Sequence, residues 1–204
     1  MDAPADEYAT LAARAEAALT VRGSRFLALA IPAREPGECE TELAARRKHL
    51  HDATHHSFAY RLGEAGAVWR AGDDGEPAGS AGKPILGAIE GAGLSDVLVV
   101  VTRYFGGTKL GVGGLARAYR AAASGALTKG GHAVRVLCAV LDVAVPHERV
   151  GPAMRAVAGA GGRILTSRYD ADVLLAVEIR RSRLEGLRAA LLEATRGEIR
   201  ISAR

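Results

Sequence analysis

Two segments of this 204-residue chain concentrate residues whose type and spacing suit chemistry on an anion. The first is Asp73-Asp74-Gly75-Glu76-Pro77-Ala78-Gly79-Ser80-Ala81-Gly82-Lys83-Pro84. The second runs Arg103-Tyr104-Phe105-Gly106-Gly107-Thr108-Lys109-Leu110-Gly111-Val112-Gly113-Gly114-Leu115-Ala116-Arg117. Glycine lets backbone N–H groups come close to a ligand, and a helix N-terminus directly behind such a loop adds the positive end of its dipole. The second segment combines that density with Arg103, Lys109 and Arg117. A turn that needs glycine only for tight packing would read the same way, and both readings stay open.

Sharper motifs are incomplete. A Walker A loop needs Ser or Thr after its Lys, and Lys109 is followed by Leu110. Gly111-Val112-Gly113-Gly114-Leu115-Ala116 fits GxGxxA, but no acid follows until Asp142, so the dinucleotide fingerprint is incomplete. Asp73, Asp74 and Glu76 allow three readings: a Mg2+ site beside a phosphate, a solvated turn bonding to its own backbone, or acids that pair with Arg103 or Lys109 and hold the two loops together. His49, His51, His55 and His56 around Asp52 invite zinc, but the helix ends before Thr54 and no cysteine is near. Ser80 is not in GxSxG, and neither Cys39 nor Cys138 has a basic neighbour motif, so no nucleophile is assigned.

Charge supports an anionic partner. Residues 1–96 carry ten basic and fifteen acidic side chains, whereas residues 97–134 carry five basic and none acidic. No Asp or Glu occurs from residue 97 to residue 141, so the formal net charge of +4 hides a local basic block. An Arg-rich coding bias is the competing explanation. Composition, 49% hydrophobic and 25% charged, is that of a globular chain with a core. The acidic start at residues 1–7 has no signal-peptide character, and the longest clean aliphatic run, 97–101, is too short to span a membrane. Two distant cysteines suit a reducing compartment, so a cytoplasmic protein is expected.

The elements that must position these residues are legible in part. Residues 6–19 are Ala-rich enough for a helix, yet 19–31 read as a hairpin turning at Arg22-Gly23-Ser24, and both options stand. Pro36 opens a helix with Cys39, Leu43, Arg47 and Leu50 at helical spacing, ending near His51. Strands follow at 57–62 and 68–70, then the 71–83 loop, a short helix at 84–92, a buried strand at 97–101 and a glycine loop at 104–114. A helix at 115–129 carries Leu115, Tyr119, Ala122 and Ala126 on one face and stops at Gly130-Gly131. From residue 133 the pattern becomes strand 134–145, helix 147–159, strands 162–168 and 172–179, helix 182–194 and strand 197–202, the β-α-β-β-α-β order of ferredoxin-like domains. The expected class is α+β with two domains, residues 1–131 and 132–204.

Asp-Ala-Thr-His-His at 52–56 with Phe58-Ala59-Tyr60, the 73–84 loop, and residues 99–119 centred on Arg-Tyr-Phe-Gly-Gly-Thr-Lys-Leu-Gly-Val-Gly-Gly-Leu-Ala-Arg-Ala-Tyr together resemble the YigZ/IMPACT family. The resemblance spans nearly the whole chain. It departs from the family after Tyr119, where Arg120-Ala121-Ala122-Ala123 replaces the usual glycine run. It implies an N-terminal ribosomal-protein-like domain similar to elongation factor G domain four, and a C-terminal ferredoxin-like domain similar to domain five. It also favours strands for residues 14–21. Three functions are carried from it, in order of expectation. The first is a translation regulator that binds RNA or the ribosome through Arg103, Tyr104, Phe105, Gly106, Gly107, Lys109, Gly111, Gly113, Gly114 and Arg117, supported by His55, Asp73, Asp74, Glu76, Ser80 and Lys83. The second is an adaptor for a translation-related protein. The third is an enzyme on a small phosphorylated ligand, with Mg2+ at Asp74 or Glu76; otherwise no cofactor and no metal are expected, and catalysis is not the leading reading.

Overall fold

The computed structural model describes residues 6–203. The start of the expected leaderless N-terminus, residues 1–5, lies outside them. The chain divides into two compact units: Tyr8–Arg135, and a second formed by the chain from Val136 onward together with its start at Asp6 and Glu7.

The first unit is built on a five-stranded antiparallel sheet. Its strands are β2 (Ala15–Val21), β3 (Ser24–Pro32), β4 (His55–Leu62), β5 (Val68–Gly72) and β6 (Val97–Tyr104), in the spatial order β2-β3-β6-β4-β5. β6 is central and explains its own composition. Val97, Val99 and Val101 pack with the helices α2 (Gly82–Gly91) and α3 (Gly111–Gly130) on one face. Leu98 and Val100 pack with Cys39 and Leu43 of α1 (Pro36–His49) on the other. A strand covered on both faces has no polar side, so it reads as an unbroken aliphatic run.

Residues 6–19 form no helix. β1 (Glu7–Leu11) pairs with β7 (His132–Val136), and β2 is the outer half of a hairpin with β3. Ala15, Ala17, Leu19 and Val21 alternate with exposed residues, and Ala17, Leu19 and Val21 pack against the core under α3, so a period of two imposed by the core overrides alanine's helix propensity. α1 ends at His49, two residues before the expected stop. α3 begins at Gly111, so the second half of the expected glycine loop is the helix's first turn; it stops at Gly131, whose φ of +67° suits glycine.

In the second unit, β8 (Cys138–Val145), α4 (Val150–Gly159), β9 (Arg163–Tyr169), β10 (Val173–Arg180), α5 (Leu184–Ala194) and β11 (Arg200–Ala203) follow in β-α-β-β-α-β order. The antiparallel sheet runs β11-β8-β10-β9. Leu141, Val143, Val145, Leu175, Val177 and Ile179 meet Val157, Leu187 and Leu191 of the helices in its core. The strand expected over 134–145 is broken at Leu137, whose N–H donates to the Asp6 carbonyl at 2.6 Å. The Asp6 carboxylate accepts from the Ser182 N–H at 2.6 Å and from its hydroxyl.

Candidate nucleic-acid interface

The 73–84 loop is folded around its own acids. Asp73 reaches forward to the start of α2, accepting from the N–H groups of Gly79 at 2.8 Å, Ala81 at 3.0 Å and Gly82 at 2.8 Å. It thereby caps orphan donors at the N-terminus of α2. Burial pushes the Asp73 carboxyl up, but those three donors and the nearby Lys83 charge outweigh it and hold the group below the usual carboxylate range. Asp74, at φ +49°, accepts from the His56 N–H at 2.7 Å and pairs with Arg47 at 2.6 Å, while its carbonyl meets His55 Nδ1 at 2.7 Å. The side chains of Asp73 and Asp74 are thus occupied by hydrogen bonds and ion pairs. No group of three or more His, Cys, Asp or Glu among the described residues is placed to hold a metal ion. Lys83 is exposed.

Glu76 turns the other way, into the core. Its Oε1 accepts from Arg103 Nη1 at 2.7 Å and from the Tyr119 hydroxyl at 2.7 Å, with His55 Nε2 at 3.9 Å. Arg103 also donates to Ser24 Oγ at 3.2 Å, and its guanidinium lies 5.5 Å from the ring centres of both Phe26 and Phe105. Arg103 Nε and Ser80 Oγ are buried and have no hydrogen-bond partner among the described residues. Of the three readings of the acidic run, ion pairing with Arg103 therefore describes Glu76 and self-bonding describes Asp73, while Asp74 is held by Arg47, His55 and His56 from outside the loop. Arg103 sits inside the unit and its charge is matched, so it organises the surface from below.

Glycine has two jobs in the second segment. Gly106 is required by packing: a Cβ there would lie 1.9 Å from the Gly23 carbonyl carbon, and its N–H donates to Ser24 Oγ at 3.2 Å. Gly107 and Gly111 hold φ of +86° and +70° facing open space, and Gly113 has only Arg117 Nη1 near the place of a Cβ, at 3.6 Å. Gly111, Val112 and Gly113 form the exposed first turn of the 20-residue α3, and no side chain caps it. Lys109 and Arg117 are exposed on either side and have no carboxylate partner among the described residues. Gly114 is half-buried against Leu110. Phe105 is exposed, its N–H held by Thr54 Oγ1 at 3.1 Å. The Tyr104 hydroxyl donates to Asp52 at 2.9 Å, with Arg25 5.4 Å from the ring centre.

The two glycine-containing loops are therefore joined, through Glu76 and Arg103. Helical spacing marks Tyr119 as a core residue, but its hydroxyl's role needs the fold. Ser24, Phe26, Arg22 and Arg25 carry no motif of their own; they come from the β2–β3 hairpin, and only the turn at 22–24 signals them. His49 and His51 take no part in the network around Glu76. Cys39 is buried, its thiol pushed up to about 12 by burial and by the neighbouring Glu38 and Glu40.

Fold and site define an α+β protein of two units, the first carrying a cationic glycine-rich turn supported by a buried ion pair. Residues 22–127 match the Impact N-terminal domain, just over half of the chain. The Thermus thermophilus protein "IMPACT family member in pol 5′ region" is 47% identical over 131 residues, 64% of this chain and 70% of its own. "IMPACT family member YigZ" of Escherichia coli is 29% identical over 185 residues, covering 90% of this chain and 91% of its own. A crystal structure of a hypothetical protein, 28% identical, covers 98% of both chains with a TM-score of 0.72. The chain belongs to the IMPACT family. No helix among the described residues is long and apolar enough to cross a membrane.

Proposed function

We propose that this protein binds RNA, free or on the ribosome, and acts in the regulation of translation in the cytoplasm. The contact surface is the exposed part of the 103–117 segment. One observation carries the reading: the uncapped first turn of α3, Gly111 to Gly113, stands between Lys109 and Arg117, and neither cation has a carboxylate partner among the described residues. Free backbone N–H groups, the helix dipole and two unmatched cations all favour a phosphate. The absence of any acid from residue 97 to residue 141 leaves nothing in the local sequence to cancel that field. Exposed Phe105 supplies a ring on which a base stacks. The family's expected likeness to domains four and five of elongation factor G points to the same process.

The test is fluorescence anisotropy with a labelled single-stranded RNA across a salt series. Contacts to Lys109 and Arg117 predict a log–log slope that loses about 0.7 for each cation reversed to Glu. Absence of binding at low salt, or affinity indifferent to both reversals, refutes the reading.

A further inference from the structure

A groove of about 390 Å3 runs beside this surface, between β2 and α3. Leu19 and Val21 of β2 and Leu110, Gly114, Ala118 and Ala121 of the α3 side form an apolar lining, with Arg22 and Arg117 the charged residues on it. No carboxylate lines it. Neither arginine has an ion pair or hydrogen bond among the described residues, so both charges are available to a ligand. Arg22 is held in place by the two-residue turn of the β2–β3 hairpin, in which Arg22 and Gly23 have φ of +46° and +82°, the favoured geometry for so short a loop. Gly23 in turn lies so close to Gly106 that no side chain fits between them.

We propose that this groove holds one unpaired base of an RNA strand, with Arg22 and Arg117 taking the phosphates that flank it. The inference rests on the RNA-binding reading and extends it to the class of RNA. An apolar lining with a doubly cationic rim matches a nucleotide, whose base is flat and largely apolar on its faces and whose backbone is anionic. Its volume is that of a small-molecule site. In a duplex the bases are stacked and paired inside the helix and cannot enter such a groove, whereas unpaired bases are splayed and read individually.

The experiment compares a labelled twelve-nucleotide single-stranded RNA with the same strand stripped of its bases, on the full-length protein at low salt. The abasic strand is expected to bind at least tenfold more weakly, about tenfold being the scale of the one base contact in the groove and the stack on Phe105 adding to it. Ala121→Trp, which fills the groove from an exposed helix position, is expected to weaken the base-containing strand about tenfold and to leave the abasic strand unchanged. Equal binding of the two strands overturns the groove proposal while the phosphate reading stands, and needs no variant. The groove proposal is equally overturned if Ala121→Trp folds and binds like the parent, or if polyglutamate displaces the RNA and base removal has no effect. If neither strand binds, both readings fall together.

Discussion

Arg103 Nη1 donates to Glu76 Oε1 at 2.7 Å, and the two side chains, 27 positions apart in sequence, are only 6% and 3% exposed. The pair joins the end of β6 to the 73–84 loop, and the Tyr119 hydroxyl binds the same oxygen from α3. Three segments of the first unit therefore meet on one carboxylate atom.

Removing one partner of a buried pair leaves the other uncompensated. Arg103→Met is expected to lower unfolding free energy by about 3–5 kcal/mol, and Glu76→Leu added to it to restore part of the loss, the Tyr119 hydroxyl losing its acceptor. Urea unfolding of the two single variants and the double variant measures the coupling; simple additivity would mean that the pair does not organise the site.

The glycines separate into two experimental classes. Gly106→Ala forces a methyl into the Gly23 backbone and is expected to cost at least about 1–3 kcal/mol. Gly113→Ala meets only the movable end of Arg117 and replaces glycine in a helix, so it is expected to stabilise by about 0.5–1 kcal/mol. RNA affinity should nonetheless fall in Gly113→Ala, because a methyl stands where a phosphate must approach the backbone. Thermal melting and anisotropy on the same sample separate the two effects.

Part of the acid sensitivity should trace to Asp73. Its folded carboxyl titrates below the unfolded value, so its contribution is complete above about pH 4 and is lost as pH falls through the depressed folded value. Asp73→Asn should flatten the stability curve in that acid range, and Asp73→Ala should cost about 1 kcal/mol at neutral pH through the lost cap. Chemical denaturation between pH 2 and 7 reads both.

Tyr119 predicts the alkaline limb. Burial is the main cause holding its hydroxyl protonated beyond the usual tyrosine range, and Glu76 adds to it. Above about pH 10 the unfolded chain releases this proton and the folded chain keeps it, so stability falls as pH rises. Tyr119→Phe should remove that part of the slope, at a cost of about 1–3 kcal/mol for the donor lost by Glu76. Denaturant midpoints of parent and variant between pH 8 and 11 provide the comparison.

Much of the architecture is local in origin. Pro36 at the head of α1, the aliphatic run of β6, the helical spacing from Leu115 to Ala126, the Gly130-Gly131 stop and the C-terminal β-α-β-β-α-β rhythm all follow from short-range sterics and burial period. Motif composition likewise marks the two loops and the IMPACT family without any coordinate. Three things were decided only by tertiary structure. The Ala-rich start became strands because its small side chains fit under α3, a contact more than ninety residues away. Arg103 and Lys109 look alike in sequence, but β6 carries the first into the core and leaves the second in solvent. Gly106 and Gly113 are one residue type with opposite reasons, because the fold brings the backbone of the Gly23 turn against Gly106 and only the end of the Arg117 side chain near Gly113. Propensity and periodicity sense neighbours a few residues apart, whereas burial, charge matching and close backbone approach depend on which distant segments the sheet brings together.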